Sequence, residues 1–384
     1  MIMYKLLFIS KTSPYNRVGR SGVPYSIFKQ LSKYYDVEWI EEEKLKGFGT
    51  VLEKAEILFW KFVGLSIHAP VINQLPIRSY LISTKIRKKI KNKQYDGIFS
   101  LDYVNFSFLD GKKPIFFRTD AVLSSFIDYY TPGHSWAIKK VGLLFENFAL
   151  RHLTYMFAAS NWVKQSVING TEKRIKDRVV VIKTGANIDD NNITYNIKTY
   201  NLQKTLNMLI IGYDIERKGI DIAFNATTLL NEKYHINTKL FVIGGKPKED
   251  YLKSGYINYV GQLDKNKPDD YHLFYSTLSN SDLFIFPTKA ECHGIVNCEA
   301  AAYALPIFSY DTGGVSDYVQ DGINGRCFPL DSDGSIYANA IYDAINSGEM
   351  NKYSRESRRL YEDELNWDAW GHKAITFINK ALQR

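Results

Sequence analysis

Short apolar runs alternate with longer segments in which apolar residues recur at every third or fourth position, and the alternation persists along the whole chain. Runs at 5–9, 36–40, 97–100, 114–118, 155–159 and 179–182 predict the strands of the first half. Runs at 206–212, 239–245, 257–261, 283–287 and 306–309, with a last strand ending at Pro329, predict those of the second. Helical spacing fills the intervals, at 25–34, around Ile82, Ile86 and Ile90, from Ser160 onward, and at 220–230, 295–304 and 367–382. Strand–helix alternation of this kind predicts α/β architecture with parallel sheets. A polar, Asn-rich stretch at 190–205 breaks the pattern and reads as a linker, so the chain divides into domains at 1–187 and 188–367. Its 384 residues exceed one ordinary core and suit two domains of roughly 150–200 residues.

Composition narrows the class. The first ten residues, MIMYKLLFIS, are too short and wrongly flanked for a signal peptide and read as a buried strand. The apolar stretch at 55–75 is interrupted by Glu56, Lys61, His68 and Pro70 and falls short of a membrane span. Cys292, Cys298 and Cys327 form neither a metal spacing nor a disulfide framework, which suits a reducing cytosol. The net charge of +8 is unevenly shared: 29 Lys and Arg face 15 Asp and Glu over residues 1–187, against 20 and 26 over 188–384. Such a first half suits an anionic partner, a phospholipid surface or a phosphorylated lipid acceptor. No nucleic-acid-binding motif is present, and nucleic acid is not an expected partner.

Residues 58–93 sharpen the membrane question. An aromatic patch (Leu58, Phe59, Trp60, Phe62, Val63) precedes Lys85, Arg87, Lys88, Lys89, Lys91 and Lys93, which surround the isoleucine stripe. One reading is a solvated helix packed before the strand at 97–100. The other is a surface for anionic lipid at the cytosolic membrane face, where clustered cations gain on the order of 1 kcal/mol each.

The candidate chemistry centres on Glu291 to Glu299, ECHGIVNCE, between an apolar run and an alanine-rich helix. Gly294 allows a tight path from strand to helix, and the free amides of the first turn make an anion site. Glu291 on the loop can accept hydrogen bonds from sugar hydroxyls and Glu299 from a ribose, while the intervening His293, Gly294, Ile295 and Val296 face the donor's phosphates with their amides. An acid in a helix's first turn also stabilises the dipole without any ligand. Gly19 and Gly22 stand where a first strand–helix loop approaches a diphosphate, and Gly212, Gly244 and Gly261 end strands whose loops border a ligand crevice. Asp120 closes another strand, either facing a sugar hydroxyl or capping the next helix. His293 has no companion at ligand spacing, and the pair Asp331 and Asp333 reads as a polar turn, so no metal site and no cofactor is expected.

The run from Asp282 to Pro329, with E-x7-E at Glu291 and Glu299 and the turn DTGGV at 311–315, resembles the donor-site core of glycosyltransferase family 4, of the GT-B class. The resemblance implies two Rossmann-like parallel-sheet domains facing each other across a cleft. The first would bind the acceptor, with the last helix, 368–384, packing back on it, and the second the nucleotide-sugar donor. It also implies retention of configuration; fixed cations and helix-end amides suit metal-independent transfer from a UDP-sugar or GDP-mannose, and the basic first half suits a lipid-linked or cell-envelope glycan acceptor. Lys218 matches the family's diphosphate lysine, whereas Tyr213 stands where the family has Arg; the neighbouring Arg217 can supply that charge. The Gly19–Gly22 loop would face the donor, and Asp120 replaces a common His. Ala304 departs from the family's glycine at the helix end. A sugar-nucleotide epimerase and a non-catalytic binding subunit are the competing readings.

Overall fold

The computed structural model describes residues 3–64, 75–127, 129–130, 136–170, 173–189, 193, 195–200 and 203–383. Parts of the linker at 190–205, and residues 65–74 of the patch at 58–93 together with His68 and Pro70, lie outside the described residues. The chain splits into two compact units, Met1–Ile182 with Trp370–Arg384, and Lys183–Ala369.

The first unit contains β1 (Lys5–Ser10), β2 (Asp36–Glu41), β3 (Gly97–Ser100), β4 (Ile115–Thr119), β5 (Tyr155–Ala158) and β6 (Val179–Val181), ordered β2-β1-β3-β4-β5-β6. The second contains β7 (Leu206–Gly212), β8 (Thr238–Gly244), β9 (Ile257–Gly261), β10 (Leu283–Phe286), β11 (Ile307–Tyr310) and β12 (Gly325–Phe328), ordered β12-β11-β10-β7-β8-β9. All pairings between these strands are parallel. The α/β reading with two parallel-sheet domains therefore holds.

Each sheet is buried on both faces, which is why its strands read as near-continuous apolar runs. In the second unit Met208, Ile210, Val242 and Ile285 enter one core and Leu209, Ile211, Ile243 and Phe284 the other. In the first unit Leu7, Ile9, Ile98 and Phe117 pack with Ile82, Ile86 and Ile90 of the helix Pro76–Ile90. On the opposite face Phe8 stacks on Phe99 and Phe99 on Phe157, covered by Trp370 of the terminal helix.

In both units the strand order reverses once. β1 has β2 on one side and β3 on the other; β7 has β8 on one side and β10 on the other. At such a switch point the carboxyl ends of the central strands border a crevice in which ligands bind. The linear sequence predicts the strands but not this order, and the order decides which loops meet.

Several local expectations change. Asp120 does not cap the next helix: the N-cap of Leu123–Phe126 is Val122, and the buried Glu146 carboxylate accepts from the amides of Leu123 and Ser124. Burial pushes Glu146 up to about 7. The helix Ile295–Ala302 ends earlier than predicted, and Ala304 keeps a left-handed turn at φ 56° despite its Cβ. Asp333 caps the helix Gly334–Asn346, its carboxylate accepting from Ser335 and Ile336.

Candidate functional site

The loops after β7 and β10 meet at the switch point of the second unit. Glycine makes that meeting possible at Gly219, the N-cap of the helix Ile220–Glu232, which has φ 80° and lies against Pro287. A Cβ there would stand 2.1 Å from the Pro287 carbonyl oxygen. Arg217 and Lys218 precede Gly219, and Pro287 opens the loop to Glu291, so this close approach brings the cations to the carboxylate. The backbone adds a clasp, the Lys289 amide donating to the Arg217 carbonyl at 2.9 Å.

Lys218 is buried, donates to the Glu291 carboxylate, and lies 4.6 Å over the Phe286 ring. Arg217 Nη1 donates to the Ala290 carbonyl at 2.5 Å and stands 3.9 Å from Glu291, while its Nε holds Asp214 at 3.2 Å. Burial lowers the Lys218 pKa, partly opposed by Glu291. Burial would raise Glu291, but Lys218, His293 and Arg217 outweigh it and hold the carboxyl below its ordinary value. The result is an ionised carboxylate pinned against two cations, with the helix Ile295–Ala302 starting four residues beyond it. Gly294 is its left-handed N-cap at φ 70°, and no side chain caps the first turn. His293 is buried with its ring 5.6 Å from Tyr318. Fixed cations and helix-terminal amides at one crevice can take an anion, and the carboxylate beside them can accept hydroxyl hydrogen bonds.

Glu299 lies in the same helix, almost fully buried, but it is already engaged: Lys265 Nζ donates to it at 2.5 Å and also reaches the Asn187 carbonyl at 3.3 Å. Burial raises its pKa, and Lys265 opposes the rise. Lys265 was not legible as a site residue. It follows β9, and its side chain crosses the Phe274 ring at 3.9 Å; only the strand order places it against Glu299. Gly212, Gly244 and Gly261 end β7, β8 and β9, and Tyr213 is largely exposed beside Gly212. Among the described residues no group of three His, Cys, Asp or Glu side chains could hold a metal ion.

The remaining predicted residues belong to the first unit. Gly19 and Gly22 bound a short 3-10 turn after β1, whose Arg20 donates to Asp102 at 2.8 Å. Asp120 follows β4, 4.0 Å from Arg118. Asp120 and Arg20 both line a cavity of about 440 Å³ at the carboxyl ends of β1 to β4.

Residues 196–360 match the family model "Glycosyl transferases group 1". An uncharacterized glycosyltransferase of Methanocaldococcus jannaschii is 23% identical over 244 residues, which are 63% of this chain and 63% of that protein. The lipopolysaccharide glucosyltransferase WaaG of Escherichia coli is 25% identical over 183 residues, 46% of each chain. The matched regions thus span about half to two thirds of these relatives' own length. Among solved structures, HepE of Anabaena in complex with UDP and glucose superposes with TM-score 0.63 at 14% identity, over 98% of this chain and 100% of that one.

Proposed function

We propose, from the match of residues 196–360 to the glycosyl transferases group 1 model, that this chain moves a sugar from a nucleotide-diphosphate donor to a hydroxyl of a lipid-linked or cell-envelope glycan. The donor is a UDP-sugar, with GDP-mannose as the alternative; the reaction needs no metal ion and retains configuration. One observation carries this reading: Lys218 and Arg217 converge on Glu291 beside an uncapped helix N-terminus, at the switch point of the second sheet.

The chemistry follows from charge. As the glycosidic bond breaks, the leaving diphosphate gains negative charge, and cations already fixed in the crevice stabilise the transition state more than the ground state. Lys218 and Arg217 do this from side chains, and the amides of Gly294, Ile295 and Val296 from the helix end. Glu291 holds the sugar's hydroxyls, and Glu299 holds the ribose once Lys265 yields it. The first unit receives the acceptor, whose hydroxyl attacks from the face the diphosphate leaves. The UDP preference draws on the Anabaena structure, which holds UDP and glucose, and the envelope acceptor on the lipopolysaccharide glucosyltransferase. Incubation with UDP-sugars and a glycan acceptor in EDTA, followed by NMR of the anomeric proton, tests the reading. The expected product has the donor's anomeric configuration and forms at an undiminished rate in EDTA; an inverted product, or an absolute need for a divalent ion, contradicts it.

An anionic membrane surface is the proposed location of the acceptor. In the first unit the helix Phe48–Phe62 buries Glu56 and turns Phe48, Val51, Leu58, Phe59 and Phe62 outward, with Lys54 and Lys61 among them. Glu56 is turned inward because its carboxylate accepts from the amides of Ile77 and Arg78 at 2.8 and 2.9 Å. The basic helix offers less than its sequence suggests, because Lys85 and Lys89 pair with Glu43 and Lys93 with Glu38. The apolar helix therefore makes the main contact, its rings entering the interface while the unit's basic excess adds attraction. Among the described residues no helix is long and apolar enough to cross a membrane. Sedimentation with vesicles containing phosphatidylglycerol at low salt should carry the parent down and leave Phe62→Asp in solution. Equal sedimentation of both would rule this helix out.

A further inference from the structure

Glu299 cannot receive a ribose while it is held as it is, and what holds it reaches beyond the crevice. Its side chain is 2% exposed and belongs to a closed ring of three residues. Lys265 Nζ donates to Glu299 Oε1 at 2.5 Å and to the Asn187 carbonyl at 3.3 Å, and the Asn187 amide donates back to Glu299. The Phe274 ring, 3.9 Å from Nζ, fixes the ammonium from the side. A buried carboxylate left without donors is strongly destabilising, so a ligand that takes Glu299 must bring donors of its own. A ribose brings two adjacent hydroxyls, whereas an ionised diphosphate brings only acceptors.

Asn187 lies where the chain enters the second unit, which begins at Lys183 and ends at Ala369. Close to these limits the incoming segment 184–187 and the outgoing segment 365–367 run against each other. The Ala186 amide donates to the Leu365 carbonyl at 3.0 Å, Trp367 Nε1 donates to Asn187 Oδ1 at 2.9 Å, and a Cβ on Gly185 would stand 2.4 Å from the Trp367 nitrogen. The helix Ile295–Ala302 fastens this pair of segments to the crevice at two successive residues. Cys298, fully buried, donates from Sγ to the Thr184 carbonyl at 3.2 Å, and Glu299 acts through Lys265 on Asn187. Other bonds of the incoming segment include those from the Thr184 amide to the Tyr318 hydroxyl at 2.8 Å and from the Asp189 amide to the Tyr275 hydroxyl at 2.7 Å. Those bonds join neutral groups. The ion pair is the fastening for which ribose hydroxyls compete directly, because they need the same carboxylate.

We propose that Lys265 is a ribose-released latch: ribose hydroxyls take Glu299 from it, its hold on Asn187 is lost, and the segment 184–189 loosens. The inference rests on the donor reading of this crevice and adds its regulation, since the point of chain entry then responds to a ribose and not to a diphosphate alone. Hydrogen exchange on the full chain, resolved by mass spectrometry, tests it with UDP, GDP, their dideoxy counterparts lacking both ribose hydroxyls, and pyrophosphate. The nucleotide that binds should slow exchange in the loops after β7 and β10 while raising it over 184–189 about fivefold, the scale of one lost hydrogen-bonded anchor. Opposite signs in one complex are the signature. The matching dideoxy nucleotide and pyrophosphate should slow the two loops and leave 184–189 unchanged. In Lys265→Met, 184–189 should exchange faster without ligand and gain nothing more from UDP or GDP. Exchange over 184–189 that a loop-protecting nucleotide leaves unchanged or slows, or that the dideoxy form raises equally, would overturn the proposal, and both results are read on the parent whether or not the variant folds. No protection of the two loops by either nucleotide would instead count against the donor reading, and the latch would fall with it.

Discussion

Replacing Lys218 with Ala should lower transfer about 10²–10³-fold, the usual cost of removing one preorganised charge from a site of developing negative charge. The loss should fall mainly on kcat, since the diphosphate needs this cation most when the bond is breaking. Lys218→Arg should not restore the rate, because the lysine is packed between Phe286 and Glu291 and a planar fork cannot occupy the same space. The variant should also change how stability depends on pH. In the parent, Glu291 has a depressed pKa, so it contributes stability above its unfolded value, lost as pH falls through the folded value. Without Lys218 the largest cation partner is gone and burial raises the carboxyl instead. Stability relative to the parent should then fall as pH rises from the acid range towards neutrality. Steady-state kinetics and denaturation at several pH values measure both effects; a variant with parental kcat would remove Lys218 from the mechanism.

The second large effect is expected at Gly219. Alanine there must adopt φ 80° and place its Cβ 2.1 Å from the Pro287 carbonyl oxygen. The left-handed backbone alone costs about 1–2 kcal/mol, and relieving the contact requires the two loops to separate. A total of about 3 kcal/mol is expected, together with reduced transfer, since the displaced loop carries Glu291. Gly348→Ala provides the comparison: its φ is 77°, but no atom lies within 4 Å of the added Cβ. Denaturant midpoints should show Gly219→Ala clearly the more damaging. Equal costs would mean that the backbone conformation, not the approach of the loops, sets the requirement for glycine.

The strands were legible because parallel sheets covered on both faces demand unbroken apolar runs. The predicted strands at 97–100, 206–212 and 257–261 coincide with β3, β7 and β9. The helix Phe48–Phe62 was not among the predicted helices; only the patch at Leu58–Val63 was singled out, and the structure turns Leu58, Phe59 and Phe62 outward and Glu56 inward. Of the candidate site, Lys218, Arg217, Glu291 and Gly294 could be named from the loops that carry them. Their convergence could not, since it depends on β10 lying beside β7. The same limit hid Lys265 against Glu299 and the pairing of Arg20 with Asp102, residues 82 positions apart.

The crevice formed by the loops after β7 and β10 is proposed to hold a nucleotide diphosphate without a metal ion. Thermal unfolding in EDTA with UDP, GDP and ADP in turn, on the parent and on Lys218→Ala, tests it most directly. A ligand at a hundred times its dissociation constant stabilises by about 2.7 kcal/mol, a shift of a few degrees. That shift is expected for UDP or GDP in the parent, and its loss in Lys218→Ala. No shift with any nucleotide, or one that survives the substitution undiminished, would contradict it.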